Sequence, residues 1–406
     1  MTVLKNNTKN HESGECADVK EGIKESNITS FVSQTMRARN LMDYHWRIIE
    51  TVIQRKKMQA LRAEKTLPRT IDFNSSLPKI VNDALSNSEF AKIPNLENRL
   101  KKLTEYHTVE REPVQGQMTL FAYEILERPE NINDHTLYQA SVAAWAIELI
   151  QSYFLIMDDV EDGAVTRHSK PCWHLLPEVN TLAMNDASMF RSLIHEIVQK
   201  NFTDPLYTKL VNLFNEAYEQ VAIGQHLDVI LSKTKDYSLF TQSNYDTIVK
   251  YKCTYYTMKL PLMLALLLCD KADKQSFGHV DDICRDVGAL FQMKNDFMDC
   301  FDEELETGKT GSDITEGKCT WLAVKSLERC NAAQRNTFTS CYGSSEPEKV
   351  NRIKELYKNL ALIQLYKEDQ RSRYEIFMRK VRELPSDAMH LQDLFYKLLQ
   401  VIQSKH

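Results

Sequence analysis

Residues 157–163 read Met-Asp-Asp-Val-Glu-Asp-Gly, so four carboxylates, Asp158, Asp159, Glu161 and Asp162, close an otherwise apolar stretch. On a helix, Asp158 and Asp162 lie four residues apart on one face, offset by about 40°. Like charges at that spacing repel, and acids at a helix C-terminus oppose the helix dipole. Either water solvates them or a cation holds them. Mg²⁺ suits the second case, because it takes a few carboxylates and fills its other positions with water and phosphate oxygens. A second row, Asn295, Asp299 and Glu303 at i, i+4 and i+8, ends another apolar stretch. Two oxygen-rich rows on facing helices can clamp metal ions and a diphosphate between them. Arg167 follows the first row, Lys252 lies in a third apolar segment, and Lys309 follows the second row in Thr307-Gly308-Lys309-Thr310-Gly311. Isolated cations of this kind are usually surface residues; their places beside the acids single these three out.

The elements that must position these groups read as helices. Residues 138–162 carry apolar side chains on nearly every side, the pattern of a central buried helix. Residues 206–231, 244–269, 280–301, 318–330 and 348–380 repeat the helical pattern, and no alternating strand pattern competes. With only 11 Gly and 11 Pro, long helices are favoured over turn-rich structure. An all-α bundle of about ten helices is expected.

From about residue 80 to the C-terminus the sequence resembles the trans-isoprenyl diphosphate synthases of the farnesyl diphosphate synthase type. The matching stretches, in order, are 153–162, Thr166-Arg167, Pro171-Cys172-Trp173-His174, 223–228, Lys250-Tyr251-Lys252, Leu260-Pro261, Phe291-Gln292, 295–299, 308–314 and Lys318-Cys319-Thr320-Trp321. The resemblance implies the all-α isoprenoid synthase fold, a central cavity and a homodimer. It implies that Asp158, Asp159, Asp162, Asn295 and Asp299 hold Mg²⁺, three ions in all, and that Arg167, Lys252, Gln292 and Lys309 hold an allylic prenyl diphosphate. Asp158, Asp162, Arg167 and Lys252 are then the catalytic set. Tyr153, Phe154, Tyr255 and Tyr256 are candidate cavity liners that offer ring faces to a carbocation. Gln225 and Asp228 face them from another helix.

The pattern breaks where the family binds isopentenyl diphosphate. Glu112 stands at the family's Lys, Gln115 at its Arg, and His168 at the second Arg of Thr-Arg-Arg; Arg111 lies one residue away. Each lost charge-assisted contact is worth about 1.5–3 kcal/mol. These departures lead to the expectation of a terpene synthase, a carbon–oxygen lyase like the insect terpene synthases related to this family. It would ionise farnesyl diphosphate to a sesquiterpene, with the pheromone roles that accompany such products. The alternatives are a farnesyl or geranyl diphosphate synthase, with Arg111 and His168 replacing the lost contacts, and a weakly active structural partner subunit.

The rest of the chain narrows the context. Residues 1–30 form a polar leader expected to be disordered, 31–69 a basic amphipathic helical extension, and 70–406 the catalytic domain. The net charge of −5 leaves no basic field for nucleic acid, and no apolar run of about 18 residues argues for a membrane span. The nine cysteines are scattered without a Cys-x-x-Cys pair, which fits a reducing compartment. A cytoplasmic location is expected, with a mitochondrial one as the alternative.

Overall fold

The computed structural model describes residues 73–403, apart from 87, 110, 169 and 302–310. The leader and the basic extension lie outside the described residues, as do Lys309 and Glu303. The chain has the all-α isoprenoid synthase fold. Its axis is α4 (Asp134–Asp162), preceded by α1 (Phe73–Leu85), α2 (Leu96–Thr108) and α3 (Val114–Leu126). Helix α4 starts at a capping box: the Asn133 side chain accepts from the backbone N–H groups of His135 and Thr136, and Thr136 accepts from the Asn133 N–H. It ends at Gly163, whose φ of 66° is the left-handed conformation that stops a helix. Ala140, Val142 to Ile147, Leu149 and Ile150 are all buried, so the apolar run is a core run on every side. Each such Val, Leu or Ile contributes roughly 1.5–3 kcal/mol when fully buried. Among the described residues, α4 is the one helix long and apolar enough to cross a membrane, and 72% of its apolar window is buried inside the protein.

Around this axis pack α5 (Leu182–Asn201), α6 (Leu206–Thr234), α7 (Gln242–Ile248), a π-helix (Val249–Lys259), α8 (Leu260–Leu268) and α9 (Lys274–Phe301). Short α10 (Asp313–Glu316) leads to α11 (Trp321–Arg329), α12 (Ala332–Cys341), α13 (Pro347–Asn359), α14 (Leu362–Arg382) and α15 (Met389–Gln403). The expected helix over 244–269 is thus three consecutive pieces, and that over 348–380 is two, broken at Ala361 with φ 53°. The only sheet among the described residues is a two-stranded hairpin, β1 (Thr166–Arg167) against β2 (Lys170–Pro171). Two apolar cores result. The larger surrounds α4, α5 and α8; the smaller gathers Trp321, Phe338, Tyr357 and Tyr366. The principal cavity is bounded by α4, α6, the π-helix, α9 and the α10–α11 region.

Candidate active site

The cavity measures about 1090 Å³. The C-terminal turn of α4 delivers Asp158, Glu161 and Asp162 to it, α6 delivers Gln225 and Asp228, and the π-helix delivers Lys252 and Tyr256. From α9 come Gln292, Asn295 and Asp299. Tyr153, Phe154, Tyr218 and Tyr256 form an aromatic cluster along one wall, with ring centroids 5.2–5.8 Å apart. Tyr255 points elsewhere: it is buried in the larger core, with the Lys259 ammonium over its ring.

Charges alternate across the cavity. The Lys252 ammonium donates to Asp158 Oδ1 at 3.0 Å and Asp228 Oδ2 at 2.6 Å. Lys318 donates to both Asp162 oxygens, at 2.7 and 2.8 Å, and to Asp228 Oδ2 at 3.1 Å. Arg167, on the hairpin, reaches Asp158 Oδ2 at 3.0 Å and holds Asp159 Oδ1 through two nitrogens. Gln225 bridges Asp158 and Glu161. Burial pushes the Asp158 carboxyl up, but Lys252, Arg167 and Lys318 outweigh it and hold Asp158 well below the usual carboxylate range. Burial and the neighbouring Asp158 charge raise Asp162 instead, against Lys318.

Not every expected residue faces the same way. Asp159 is buried beside Arg167, away from the principal cavity. Asp299 lines the cavity but accepts the N–H groups of Ser312 at 3.2 Å and Asp313 at 2.9 Å, which ties α9 to the start of α10. The Gln292 amide donates to Asp296, whose other oxygen caps α11 at the Trp321 N–H. Lys318 was not among the residues singled out by charge pattern, since only the short Lys318-Cys319-Thr320-Trp321 match drew attention to it. Tyr218 was missed because one tyrosine on an apolar helix face reads as core.

The donor set can be tested against a divalent cation. Asp158, Glu161 and Asp162 on one side and Asn295 and Asp299 on the other are all oxygen donors, the type Mg²⁺ takes. Among the described residues no three His, Cys, Asp or Glu side chains converge on one point. Mg²⁺ does not need them to, because it is held by one or two carboxylates with water and phosphate filling the rest. The residues fit the ion.

A second, much smaller cavity of about 20 Å³, room for a single water, lies beside Asp159. Arg111, Arg167, His168, Lys170 and His107 surround it. Arg111 is buried against Glu148, at 2.6 Å. Burial, then Arg111, His168, Arg167 and Lys170, push His107 down to about 3. A folded-state pKa depressed from 6.5 makes His107 a source of acid instability. The unfolded chain binds a proton there that the folded chain refuses, so stability falls as pH drops from about 6.5 towards 3, by up to about 1.4 kcal/mol per pH unit. His107→Gln should flatten the acid limb of a plot of unfolding free energy against pH; an unaltered limb would refute this.

The fold and the site together define an all-α bundle around a cavity lined by acids and cations. Residues 97–360 match the family model described as polyprenyl synthetase, and the chain belongs to that family. It is 31% identical over 335 residues to a farnesyl pyrophosphate synthase of Murgantia histrionica, covering 82% of each chain. It is 33% identical to the mitochondrial farnesyl pyrophosphate synthase 1 of Arabidopsis thaliana, covering 82% of this chain and 86% of that one. Among solved structures it superposes on T. brucei farnesyl diphosphate synthase complexed with bisphosphonate, with TM-score 0.75 and 29% identity over 82% of this chain and 99% of that one.

These relatives overturn the expectation of a carbon–oxygen lyase making a sesquiterpene, since they are named as synthases of farnesyl diphosphate. The physical reason is that substitutions at single positions do not fix the charge around them. Compared position by position with the family, three cations are lost, at Glu112, Gln115 and His168. Arg111, weighed only as an alternative, and Lys170, left out of that comparison, both stand around the same small cavity as Arg167 and His168, and after burial their charges are among those that push His107 down.

Proposed function

We propose that the chain is a prenyltransferase that condenses isopentenyl diphosphate with an allylic diphosphate, making farnesyl or geranyl diphosphate and releasing diphosphate. The observation that carries this reading is the placement of the acids Asp158, Glu161 and Asp162 and the cations Arg167, Lys252 and Lys318 at one cavity whose wall is the aromatic cluster of Tyr153, Phe154, Tyr218 and Tyr256. In the reaction the allylic C–O bond breaks and its electron pair leaves with diphosphate. The isopentenyl double bond attacks the allylic carbon, and the new chain gives up a proton to the released diphosphate, which restores a double bond.

Arg167, Lys252, Gln292 and Lys318 are assigned to the allylic diphosphate, with Lys309 beyond the described residues. The fixed charges of Arg167, Lys252 and Lys318 oppose the charge that develops on the leaving group, in a site partly shielded from water. Asp158, Asp162, Asn295 and Asp299 are assigned to Mg²⁺, with three ions expected. When bound, Mg²⁺ supplies Lewis-acid neutralisation of the diphosphate oxygens. The rings of Tyr153, Phe154 and Tyr256 offer their faces to the cationic carbon, and Tyr153 and Phe154 limit the depth available to the growing chain.

The test is incubation of the purified chain and Mg²⁺ with geranyl diphosphate and isopentenyl diphosphate, followed by mass spectrometry. A fifteen-carbon diphosphate formed only when both substrates are present is expected. Consumption of the allylic substrate alone, with no elongated diphosphate in the paired reaction, would refute the reading.

A further inference from the structure

Between α7 and α8 the backbone widens into the π-helix, which runs eleven residues and carries Lys252. Wide i→i+5 turns are rare, appear mostly as single turns, and are frequent at functional sites. What lets so wide a segment fit is bare backbone on both neighbouring helices. On α6, a Cβ added at Gly224 would lie 2.2 Å from the Lys252 nitrogen and 2.7 Å from its Cα. On α9, a Cβ added at Gly288 would lie 2.1 Å from Thr254 Oγ1 and 2.6 Å from Thr254 Cβ. The first obstacle is backbone, which no rotamer change relieves. The second is a buried β-branched side chain, stiff at χ1. Lys252 and Thr254 are only two residues apart, yet they are pressed by different helices.

Neither glycine lines the cavity. We propose that Gly224 and Gly288 are positioning residues, which admit the π-helix between α6 and α9 and so set the depth from which the Lys252 ammonium reaches Asp158, Asp228 and the substrate diphosphate. The inference rests on the assignment of Lys252 to the diphosphate made above. A methyl group at position 224 drives the Lys252 backbone away from α6. The ammonium, 2.6 Å from Asp228, then leaves the place where it meets an anion.

The test measures binding of inorganic diphosphate in excess Mg²⁺ by calorimetry, beside the thermal midpoint and the KM for each substrate. Gly224→Ala is expected to weaken diphosphate binding by about tenfold or more, the scale of one charge-assisted contact. The KM for the allylic diphosphate should rise while that for isopentenyl diphosphate stays unchanged. In a Lys252→Ala background the same substitution should weaken binding no further, because both act through one ammonium. Gly288→Ala should also weaken binding, and adding Thr254→Gly, which removes the colliding atoms, should restore it. Gly278→Ala, also on α9 but with nothing within 4 Å of the added carbon, should bind as the wild type does. Alanine normally stabilises a helix interior over glycine, so a loss at 224 or 288 reports the contact and not the helix.

Wild-type affinity in folded Gly224→Ala or Gly288→Ala would overturn the proposal. So would a full further loss in the Lys252→Ala background. If Gly224→Ala does not fold, the Gly288 pair decides: recovery of affinity supports the proposal, and recovery of the thermal midpoint alone overturns it. A wild-type chain that binds no diphosphate with Mg²⁺ overturns the functional reading itself, an outcome read in the unmodified protein and so distinct from the others.

Discussion

Asp158→Asn should lower turnover in the elongation reaction by about a hundred- to a thousandfold, the scale of removing one preorganised group that serves the transition state. Asp158 is the acceptor on which three elements meet: the hairpin through Arg167, α6 through Gln225 and the π-helix through Lys252. The surrounding cations keep it ionised throughout the neutral range, despite burial that pushes the other way. Asparagine preserves shape and one acceptor oxygen but removes the charge. Lys252 then keeps Asp228 as its one bonded carboxylate, and a metal ion loses an anionic ligand. The measurement is steady-state kcat and kcat/KM across a Mg²⁺ titration, with circular dichroism to confirm the fold. A variant within tenfold of wild type at saturating Mg²⁺ would place the metal chemistry elsewhere.

The largest effect on stability is expected at Arg111. Its side chain is 6% exposed and that of Glu148 is fully buried. Glu148 also accepts the Gly116 N–H at 2.7 Å, so the pair fastens the start of α3 to the middle of α4. Arg111→Met leaves a carboxylate in the core without its partner, which typically costs about 3–5 kcal/mol. Burial already pushes the Glu148 carboxyl above its usual range. In the variant it escapes the penalty by taking up a proton, so the deficit should be largest near neutral pH and shrink as pH falls towards the ordinary glutamate range. Replacing Glu148 as well, in Arg111→Met/Glu148→Met, should recover most of the loss, since a buried ion pair rarely outperforms apolar packing. Urea unfolding of the two variants at several pH values checks all three statements. A single-variant deficit below about 1 kcal/mol would show that the pair is not what fastens the helices.

The helix that carries the first acid row was legible because α4 is apolar on all sides and ends in a charged turn followed by Gly163. The second row was legible by spacing, and Asn295 and Asp299 do line the same cavity as Asp158 and Asp162. The π-helix was not, because over eleven residues its apolar pattern cannot be told from that of an ordinary helix. Asp159 could not be separated from Asp158 either. Adjacent residues on a helix point about 100° apart, and only the packing decides which one meets the cavity and which one meets Arg167. Lys318 stayed obscure because its partners, Asp162 and Asp228, are 156 and 90 residues away. The misjudged reaction has the same origin. Glu112, Gln115 and His168 were compared position by position, whereas charge is felt through space, and Arg111 and Lys170 stand around the same small cavity as His168.

The alternation of Arg167, Asp158, Lys252, Asp228, Lys318 and Asp162 has a consequence for how ligands enter. A divalent cation arriving alone must draw Asp158 and Asp162 away from bonded ammonium groups, and a polyanion arriving alone must draw Lys252 and Lys318 away from bonded carboxylates. Each arrival exposes the charge that welcomes the other. Under the proposed reading the network works as a lock with two keys. It turns away stray metal ions and simple anions taken singly, it opens to the pair, and by thermodynamic reciprocity each key tightens the grip on the other by the same factor.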